Sequence, residues 1–275
     1  MCPIGRLAIN GQGGLFEPAN LVCHCFLIET REGLVLVDTG LGTWDTFEPQ
    51  QRFGKLPAKL FRVEEDPTRT AIHQLKVLGF DPKDVRHIVL THLDFDHAGG
   101  LSDFPWANVH VLDIEHDAAM NPQTLRQRNR YAAAQFEHHP KWALHSVGNG
   151  ERWFGFDYVR AIPGLGDDLL LIPLIGHTQG HCGVAVREPD GWLLHCGDAI
   201  FDHEQLNPVE PDAPIGLRLI ERLMTDDRES ILSNQSLLRQ LALEQQGAVR
   251  IVCSHDPKML EGIPPHVAEQ AAYVR

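Results

Sequence analysis

Four side chains that can bind a metal ion occur within six consecutive positions of this sequence. The segment THLDFDHAGG contains His92, Asp94, Asp96 and His97, and it directly follows an apolar run. Alternate residues of an extended chain point to the same side, so the first three can face one way. His97 can turn in as the chain enters a turn. One ion can hardly accept all four ligands from so short a stretch, whereas two adjacent ions can share them.

Three distant segments also place a polar residue just after an apolar run. His177, Asp198 and His255 follow predicted strands that end near residues 175, 196 and 253. Open α/β sheets bind ligands beyond the carboxyl ends of their strands, so we expect these residues to converge with the first segment. Four histidines and three aspartates suit two divalent ions that share a carboxylate. The predicted metal ligands are His92, Asp94, Asp96, His97, His177, Asp198 and His255.

Short apolar runs bounded by glycine and charged residues predict the strands that must position these ligands. They cover residues 21–28, 33–38, 87–91, 109–112, 158–162, 169–175, 183–187, 192–196 and 249–253. Helices are predicted over residues 66–78, 215–224, 227–245 and 266–274, and residues 41–65 look irregular. The pattern favours a single α/β domain, 1–275, with helices outside the strands. A polar helical insert at about 113–150 and a lid-like segment at about 201–230 are expected to interrupt it.

The composition limits the kinds of partner that can be expected. A net charge of −13 repels phosphate backbones, which disfavours nucleic acid. No apolar run approaches the roughly 18 residues of a membrane span, so no membrane association is expected. Six cysteines in 275 residues do not form a disulfide framework, and the N-terminus lacks an apolar signal core. We therefore expect a cytoplasmic protein that acts on a small molecule, and its oligomeric state stays open.

Five motifs in the same order resemble the metallo-β-lactamase-fold hydrolases of the binuclear, lactonase-like and glyoxalase II-like type. They are Val37–Gly40, His92–His97, Gly176–His181, Gly197–Asp198 and Ser254–Asp256. The resemblance covers nearly the whole chain. It implies a four-layer αββα sandwich with the metals at one edge of the two sheets.

The resemblance also implies how the ligands divide. The first metal would take His92, residue 94 and His177, the second would take Asp96, His97 and His255, and Asp198 would bridge both. Zinc is the favoured ion for both sites, with manganese or iron as alternatives. The implied enzyme uses a metal-bridging hydroxide on a small-molecule lactone or other ester, with Asp96 and Asp198 as catalytic residues. His181 matches a supporting residue, and Asp38 a structural one.

Asp94 departs from the family pattern, which usually has histidine at this position. An extra carboxylate makes the first site richer in oxygen and eases acceptance of Mn²⁺ or Fe²⁺. It also makes the centre less positive, and a weaker Lewis acid leaves its bound water protonated to higher pH. The sequence therefore predicts a more alkaline activity optimum than in a relative with histidine.

A second departure concerns substrate and reaction. Lactonase-like relatives often have tyrosine three residues after the bridging aspartate, but Phe201 stands here and cannot donate a hydrogen bond. The same fold also houses iron-dependent oxidoreductases of the sulfur dioxygenase type, which use one iron. That activity is the alternative to hydrolysis, although the full second ligand set argues against it.

Several residues allow two interpretations. The polar insert contains Arg126, Arg128, Arg130, His138 and His139, which either contact substrate or form a solvated helix face. His203 could supply a donor near the centre. The Cys23-His24-Cys25 triplet suggests a metal site, but strand alternation favours a thiol pair in the core.

Overall fold

Most of the apolar runs predicted as strands form two β-sheets in the computed structural model, which describes residues 1–260. The strands are β1 (Phe26–Thr30), β2 (Gly33–Val37), β3 (Val85–Val89), β4 (Asn108–Leu112), β5 (Lys141–His145), β6 (Glu151–Trp153), β7 (Phe156–Ala161), β8 (Leu169–Pro173), β9 (Cys182–Glu188), β10 (Gly191–His195) and β11 (Val249–Val252). The helices are α1 (Arg6–Asn10), α2 (Thr43–Phe47), α3 (Pro49–Phe53), α4 (Lys55–Phe61), α5 (Ala71–Val77), α6 (Phe95–Ala98), α7 (Asp113–Met120), α8 (Leu125–Arg130), α9 (Ile215–Met224) and α10 (Arg228–Glu244).

The two sheets differ in strand direction. The first has the order β1-β2-β3-β4-β5, and its strands run parallel from β2 to β5. The second has the order β11-β10-β9-β8-β7-β6 and is antiparallel except for the parallel pair β10 and β11. Parallel neighbours end at the same edge of a sheet, so the segments that follow β2 and β3, or β10 and β11, emerge together.

Three apolar clusters separate four layers. In β2, Leu34 and Leu36 belong to a cluster shared with α5 and α7, whereas Val35 and Val37 face the opposite sheet. A third cluster lies between the second sheet and α10. Successive strand residues point to opposite faces, so each sheet can bury both sides. The predicted αββα sandwich is confirmed.

The structure also contains elements that the sequence prediction missed. β5 forms the edge of the first sheet inside the stretch expected to be helical, and β6 forms the edge of the second. Both are edge strands with exposed residues, Lys141 and Leu144 in β5 and Glu151 and Arg152 in β6, so neither contains a continuous buried apolar run. Residues 43–61, expected to be irregular, form three short helices. The predicted terminal helix 266–274 lies outside the described residues.

No helix among residues 1–260 combines the length and the apolar character needed to cross a membrane.

Candidate metal centre

The seven predicted ligands lie together at one edge of the two sheets. Each is at most 7% exposed, and each is carried by a segment that follows β3, β8, β10 or β11. Asp198 lies in the middle of the set. Its Oδ2 atom is 3.1 Å from His255 Nε2 and 3.4 Å from His177 Nε2, while its Oδ1 atom is 3.4 Å from His97 Nε2. This is the position that a carboxylate shared by two ions would occupy.

The remaining side chains divide around Asp198 into two groups. In the first ligand group, Asp94 Oδ2 lies 3.4 Å from His92 Nε2 and 3.2 Å from His177 Nε2. In the second ligand group, Asp96 lies 3.6 Å from His255 Nε2 and 4.0 Å from His97 Nε2. In each group, the two histidines and Asp198 have ligand atoms close enough to hold one ion, whereas Asp94 and Asp96 lie outside these two sets.

The hydrogen bonding of these atoms tests whether metal ions fit. Within residues 1–260, His92 Nε2, His97 Nε2 and Asp198 Oδ1 are buried and have no hydrogen-bond partner. A buried polar atom without a partner costs about 1–3 kcal/mol, and proteins rarely leave several side by side. Imidazole nitrogen and carboxylate oxygen are ordinary zinc ligands, and bound ions would satisfy all three atoms. The residues therefore fit divalent metal ions.

Buried neighbours fix the orientation of the ligands. Asp38 follows β2 in a left-handed conformation (φ 56°), and its carboxylate accepts from the Thr91 backbone N–H and hydroxyl, each at 2.8 Å. The same carboxylate lies 2.8 Å from His97 Nδ1. On the other side, His181 Nε2 accepts from the Asp198 backbone N–H at 2.9 Å. Asp38 and His181 therefore contact predicted ligands, which is the arrangement expected of supporting residues.

Glu115, in α7, is a supporting residue that the sequence analysis missed. Its side chain is fully buried and accepts from the backbone N–H groups of Leu93 and Gly180, each at 3.0 Å. The Tyr131 hydroxyl donates to it at 3.2 Å. Glu115 thus joins the segment that carries His92 to the segment that carries His177. Acidic residues are common at the start of a helix, so the sequence contains no sign of this role for Glu115.

The three arginines of the predicted insert differ in their surroundings. Arg128 is exposed and the Arg126 side chain is 48% exposed, as expected for a solvated face. The Arg130 side chain is only 4% exposed and reaches the metal centre, so the solvated-face reading is wrong for it. Its Nε and Nη2 atoms donate to Asp94 at 2.6 and 2.7 Å.

Arg130 changes the charge of the first ligand group. Burial alone would raise the pKa of Asp94, but the adjacent guanidinium holds that pKa well below its ordinary value. The pair is close to neutral in sum, so the extra negative charge counted from the sequence is offset. Arg130 therefore removes the excess negative charge on which the more alkaline optimum depends.

The cysteine pair lies beside the centre and not in the core. Cys23 and Cys25 are both half-buried, and Cys23 Sγ is 3.8 Å from Asp96 Oδ2. With Asp96 and His255, Cys23 forms a group whose ligand atoms lie close enough to hold an ion. His24 points away, and its Nε2 atom lies 2.9 Å from the Asp256 carbonyl oxygen.

The remaining candidate residues lie at different positions relative to the predicted ligands. The buried ring of Phe201 stacks on His255 with centroids 5.3 Å apart, and it also packs against His177. His203 Nδ1 lies 2.6 Å from Asp256 Oδ2, which ties it to the residue after His255. In the part of the chain that the structure describes, no ion pair or side-chain hydrogen bond joins His138 or His139 to a predicted ligand.

The geometry agrees with comparisons to known proteins. Residues 19–255 match the family model described as the metallo-beta-lactamase superfamily. A Mycobacterium tuberculosis protein named "probable metallo-hydrolase" is 40% identical over 245 residues, which is 88% of this chain and 76% of the relative. An N-acyl homoserine lactonase of Bacillus cereus is 31% identical over 233 residues, with 81% of this chain and 83% of the relative covered.

Solved structures share the fold. The crystal structure of a Bacillus thuringiensis AiiA mutant with N-decanoyl-L-homoserine bound superposes with a TM-score of 0.65 at 23% identity. The match covers 94% of this chain and 90% of that one. The family match, the named relatives and the buried cluster of histidines and aspartates agree. This chain is a metal-dependent hydrolase that belongs to the metallo-β-lactamase superfamily.

Proposed function

We propose that this enzyme hydrolyses the ester bond of a small lactone with an apolar acyl substituent, using two divalent metal ions at the first and second ligand groups. The observation that carries the proposal is the position of Asp198 between the two groups, with Nε2 atoms of one histidine from each within 3.4 Å of its carboxylate oxygens. Zinc is the ion that this donor set favours, and manganese or iron are alternatives.

A cavity lined in part by Cys23, which contacts Asp96, supports the acyl substituent, although none of the seven predicted ligands lines it. It has a volume of about 730 Å³, which is in the range of small-molecule sites. Its lining includes Cys23 and Thr39, which contact Asp96 and the His97 carbonyl oxygen, and most of the wall is apolar. The apolar lining includes Leu21, Phe26, Leu27, Leu75 and Phe80. An acyl chain would bury its surface here while its carbonyl group lies at the metal ligands.

The chain's own groups have separable tasks in this proposal. Hydrolysis joins a water oxygen to the acyl carbon, breaks the ring carbon–oxygen bond and moves one proton to the departing oxygen. Bound divalent ions lower the pKa of water and polarise the carbonyl group. The side chain of Asp96 is 10% exposed, more open than that of Asp198, so in this proposal Asp96 would orient the water and hold its proton. Phe201 excludes water between His177 and His255 but donates nothing.

The named relatives support hydrolysis and give no support to the iron-dependent oxidoreductase alternative. The Bacillus cereus relative is named for N-acyl homoserine lactones, which combine a lactone ring with an apolar acyl chain. That substrate class fits the cavity described above, and it is the class to test first.

The test is proton release by the zinc-loaded protein on N-acyl homoserine lactones of increasing chain length, with an acyclic ester series as comparison. We expect kcat/KM to rise with chain length, because each added methylene can be buried in the cavity. His177→Ala should abolish turnover. His139→Ala is the matched control, because His139 is an exposed histidine without a described contact to the centre, and it should keep full activity.

The proposal fails if the protein binds zinc and stays folded but turns over no lactone of the series. It also fails if His177→Ala and His139→Ala have the same activity, because the turnover then belongs to another site or to a contaminant.

A further inference from the structure

The guanidinium of Arg130 lies within the first ligand group. Its Nε and Nη2 atoms engage both carboxylate oxygens of Asp94 at 2.6 and 2.7 Å. The same Nη2 atom lies 2.7 Å from His177 Nε2. With a side chain only 4% exposed, Arg130 forms these contacts almost without competition from water. The position that a cation would take between Asp94 and His177 is therefore approached by a cation of the chain itself.

The chemistry of the two side chains makes this contact competitive with metal binding. A guanidinium carries only donors, so His177 Nε2 must offer its lone pair to Arg130. A metal ion at His177 needs the same lone pair. The fixed positive charge also repels a second cation at short range, most strongly in a buried site. Metal can reach His177 and Asp94 together only after Arg130 has shifted.

Other contacts hold Arg130 in place. Its Nη1 atom donates to the carbonyl oxygens of His177 at 2.9 Å and Met224 at 2.5 Å, and it lies 3.3 Å from Asp226 Oδ1. Met224 and Asp226 belong to the segment 201–230 that the sequence predicts to be lid-like. Displacing the guanidinium means loosening several buried, charge-assisted hydrogen bonds, which are the stronger kind.

The second ligand group has no such competitor. His97 Nε2 and Asp198 Oδ1 have no hydrogen-bond partner within residues 1–260. Among the same residues, the ion pairs of Asp96 involve only histidines, and no lysine or arginine approaches it. His92 Nε2 in the first group is likewise unpartnered, so what distinguishes the second group is that no cation of the described chain competes for its ligand atoms.

We propose that Arg130 makes the two metal sites unequal: the second ligand group binds its ion tightly and first, and the first ligand group binds only weakly, with Arg130 as its resident cation. This inference rests on the two-metal centre of the proposed function, but it concerns metal affinity and not turnover. Arg130 acts through Asp94 and His177 as a competitor of the first ion, and it is neither a metal ligand nor a catalytic residue.

The test is a zinc titration of the metal-free protein, followed by calorimetry with a competing chelator. We expect two binding steps whose Kd values differ at least tenfold. In His177→Ala, the tight step should remain and the weak one should disappear. In Arg130→Met, which keeps much of the side-chain volume but removes the charge, the weak step should tighten at least tenfold.

Arg126→Met is the matched control. Arg126 donates to Leu223 and Thr225 carbonyl oxygens and pairs with Asp226, but none of its described contacts reaches Asp94 or His177. It should keep two unequal steps, which separates the effect of Arg130 on the metal site from a loosening of the lid-like segment.

Two equal steps in the wild type, or loss of the tight step in His177→Ala, would overturn the inference. An unchanged weak step in folded Arg130→Met would also do so. If circular dichroism shows that Arg130→Met does not fold, the titrations of the wild type and His177→Ala still decide whether the two sites are unequal. Lactone turnover is measured separately. Unequal zinc-binding steps without turnover would reject only the proposed function. Equal zinc-binding steps with turnover would reject only this inference.

Discussion

Asp38 Oδ2 lies 2.8 Å from His97 Nδ1, and both side chains are only 1% exposed. A buried carboxylate at this distance keeps the proton on Nδ1 and leaves Nε2 free to bind a metal ion. The relationship explains why an aspartate at the end of β2 matters to a centre to which it contributes no ligand.

Asp38→Asn should weaken zinc binding by roughly 10–100-fold, because partners of this kind orient metal-binding histidines and raise their basicity. Zinc affinity is measured by competition with a chelator. Asp45→Asn is the control, since Asp45 is fully buried and accepts from the Gly42 N–H at 2.8 Å and from Arg52 without touching a predicted ligand. Equal losses of affinity in the two variants would show that the effect is one of general stability.

Glu115→Gln should reduce the free energy of unfolding by about 1–3 kcal/mol. The new amide group would present N–H to one of the backbone N–H groups of Leu93 and Gly180, and a buried donor would lose its acceptor. Denaturant unfolding measures the change. Asp113→Asn on the same helix is the comparison, because Asp113 is half-buried and accepts from the Ser146 hydroxyl. A smaller effect for Glu115→Gln than for Asp113→Asn would reject the proposed role.

The surroundings of His110 predict that the protein loses stability in acid. It lies between His87 and His145, 2.9 Å from a ring nitrogen of each, and burial together with these neighbours lowers its pKa to about 3. The unfolded chain binds this proton near pH 6.5, so protonation favours unfolding. The contribution of neutral His110 is complete above pH 6.5 and declines as the pH falls from 6.5 toward 3.

His110→Gln removes this titration but can still donate and accept hydrogen bonds. The difference in unfolding free energy between wild type and variant should shrink by about 2 kcal/mol between pH 7.5 and pH 5. Other groups titrate in both proteins, so their contributions cancel in the difference between the two unfolding free energies. A difference that stays constant over this range would contradict the prediction.

Phe201→Tyr should raise kcat on lactones by up to about tenfold, with a smaller change in KM. The ring already packs between His255 and His177, and a hydroxyl there adds a donor for the charge that develops on the carbonyl oxygen. Single-substrate kinetics and the melting temperature are compared with the wild type. A lower kcat at an unchanged melting temperature would show that the hydroxyl points away from the reacting carbonyl.

The sequence predicted the architecture and the ligand cluster because both depend on local patterns. Continuous apolar runs in β2 and β9 identify strands that are buried on both faces, and motifs at strand ends place side chains at one sheet edge. The short edge strands β5 and β6 lacked such a pattern, since one partner strand and partial exposure leave the choice of residues freer.

The supporting residues could not be found in the same way. Arg130 reaches Asp94 across 36 positions of sequence, and Cys23 reaches Asp96 across 73. The Cys-His-Cys triplet and the three arginines of the insert drew attention to these residues, but neither pattern identifies the partner, and an arginine in a polar helix is typically solvated. Only the packing of α8 against the centre shows that this one is buried.

The central claim is that the cluster around Asp198 holds two metal ions. The most direct measurement is the zinc content per chain at saturation, by equilibrium dialysis, for the wild type and for Asp198→Ala. We predict close to two equivalents in the wild type and a loss of affinity for both ions in the variant, since Asp198 serves both groups. A single equivalent at saturation, or an unchanged zinc content in Asp198→Ala, would contradict the account.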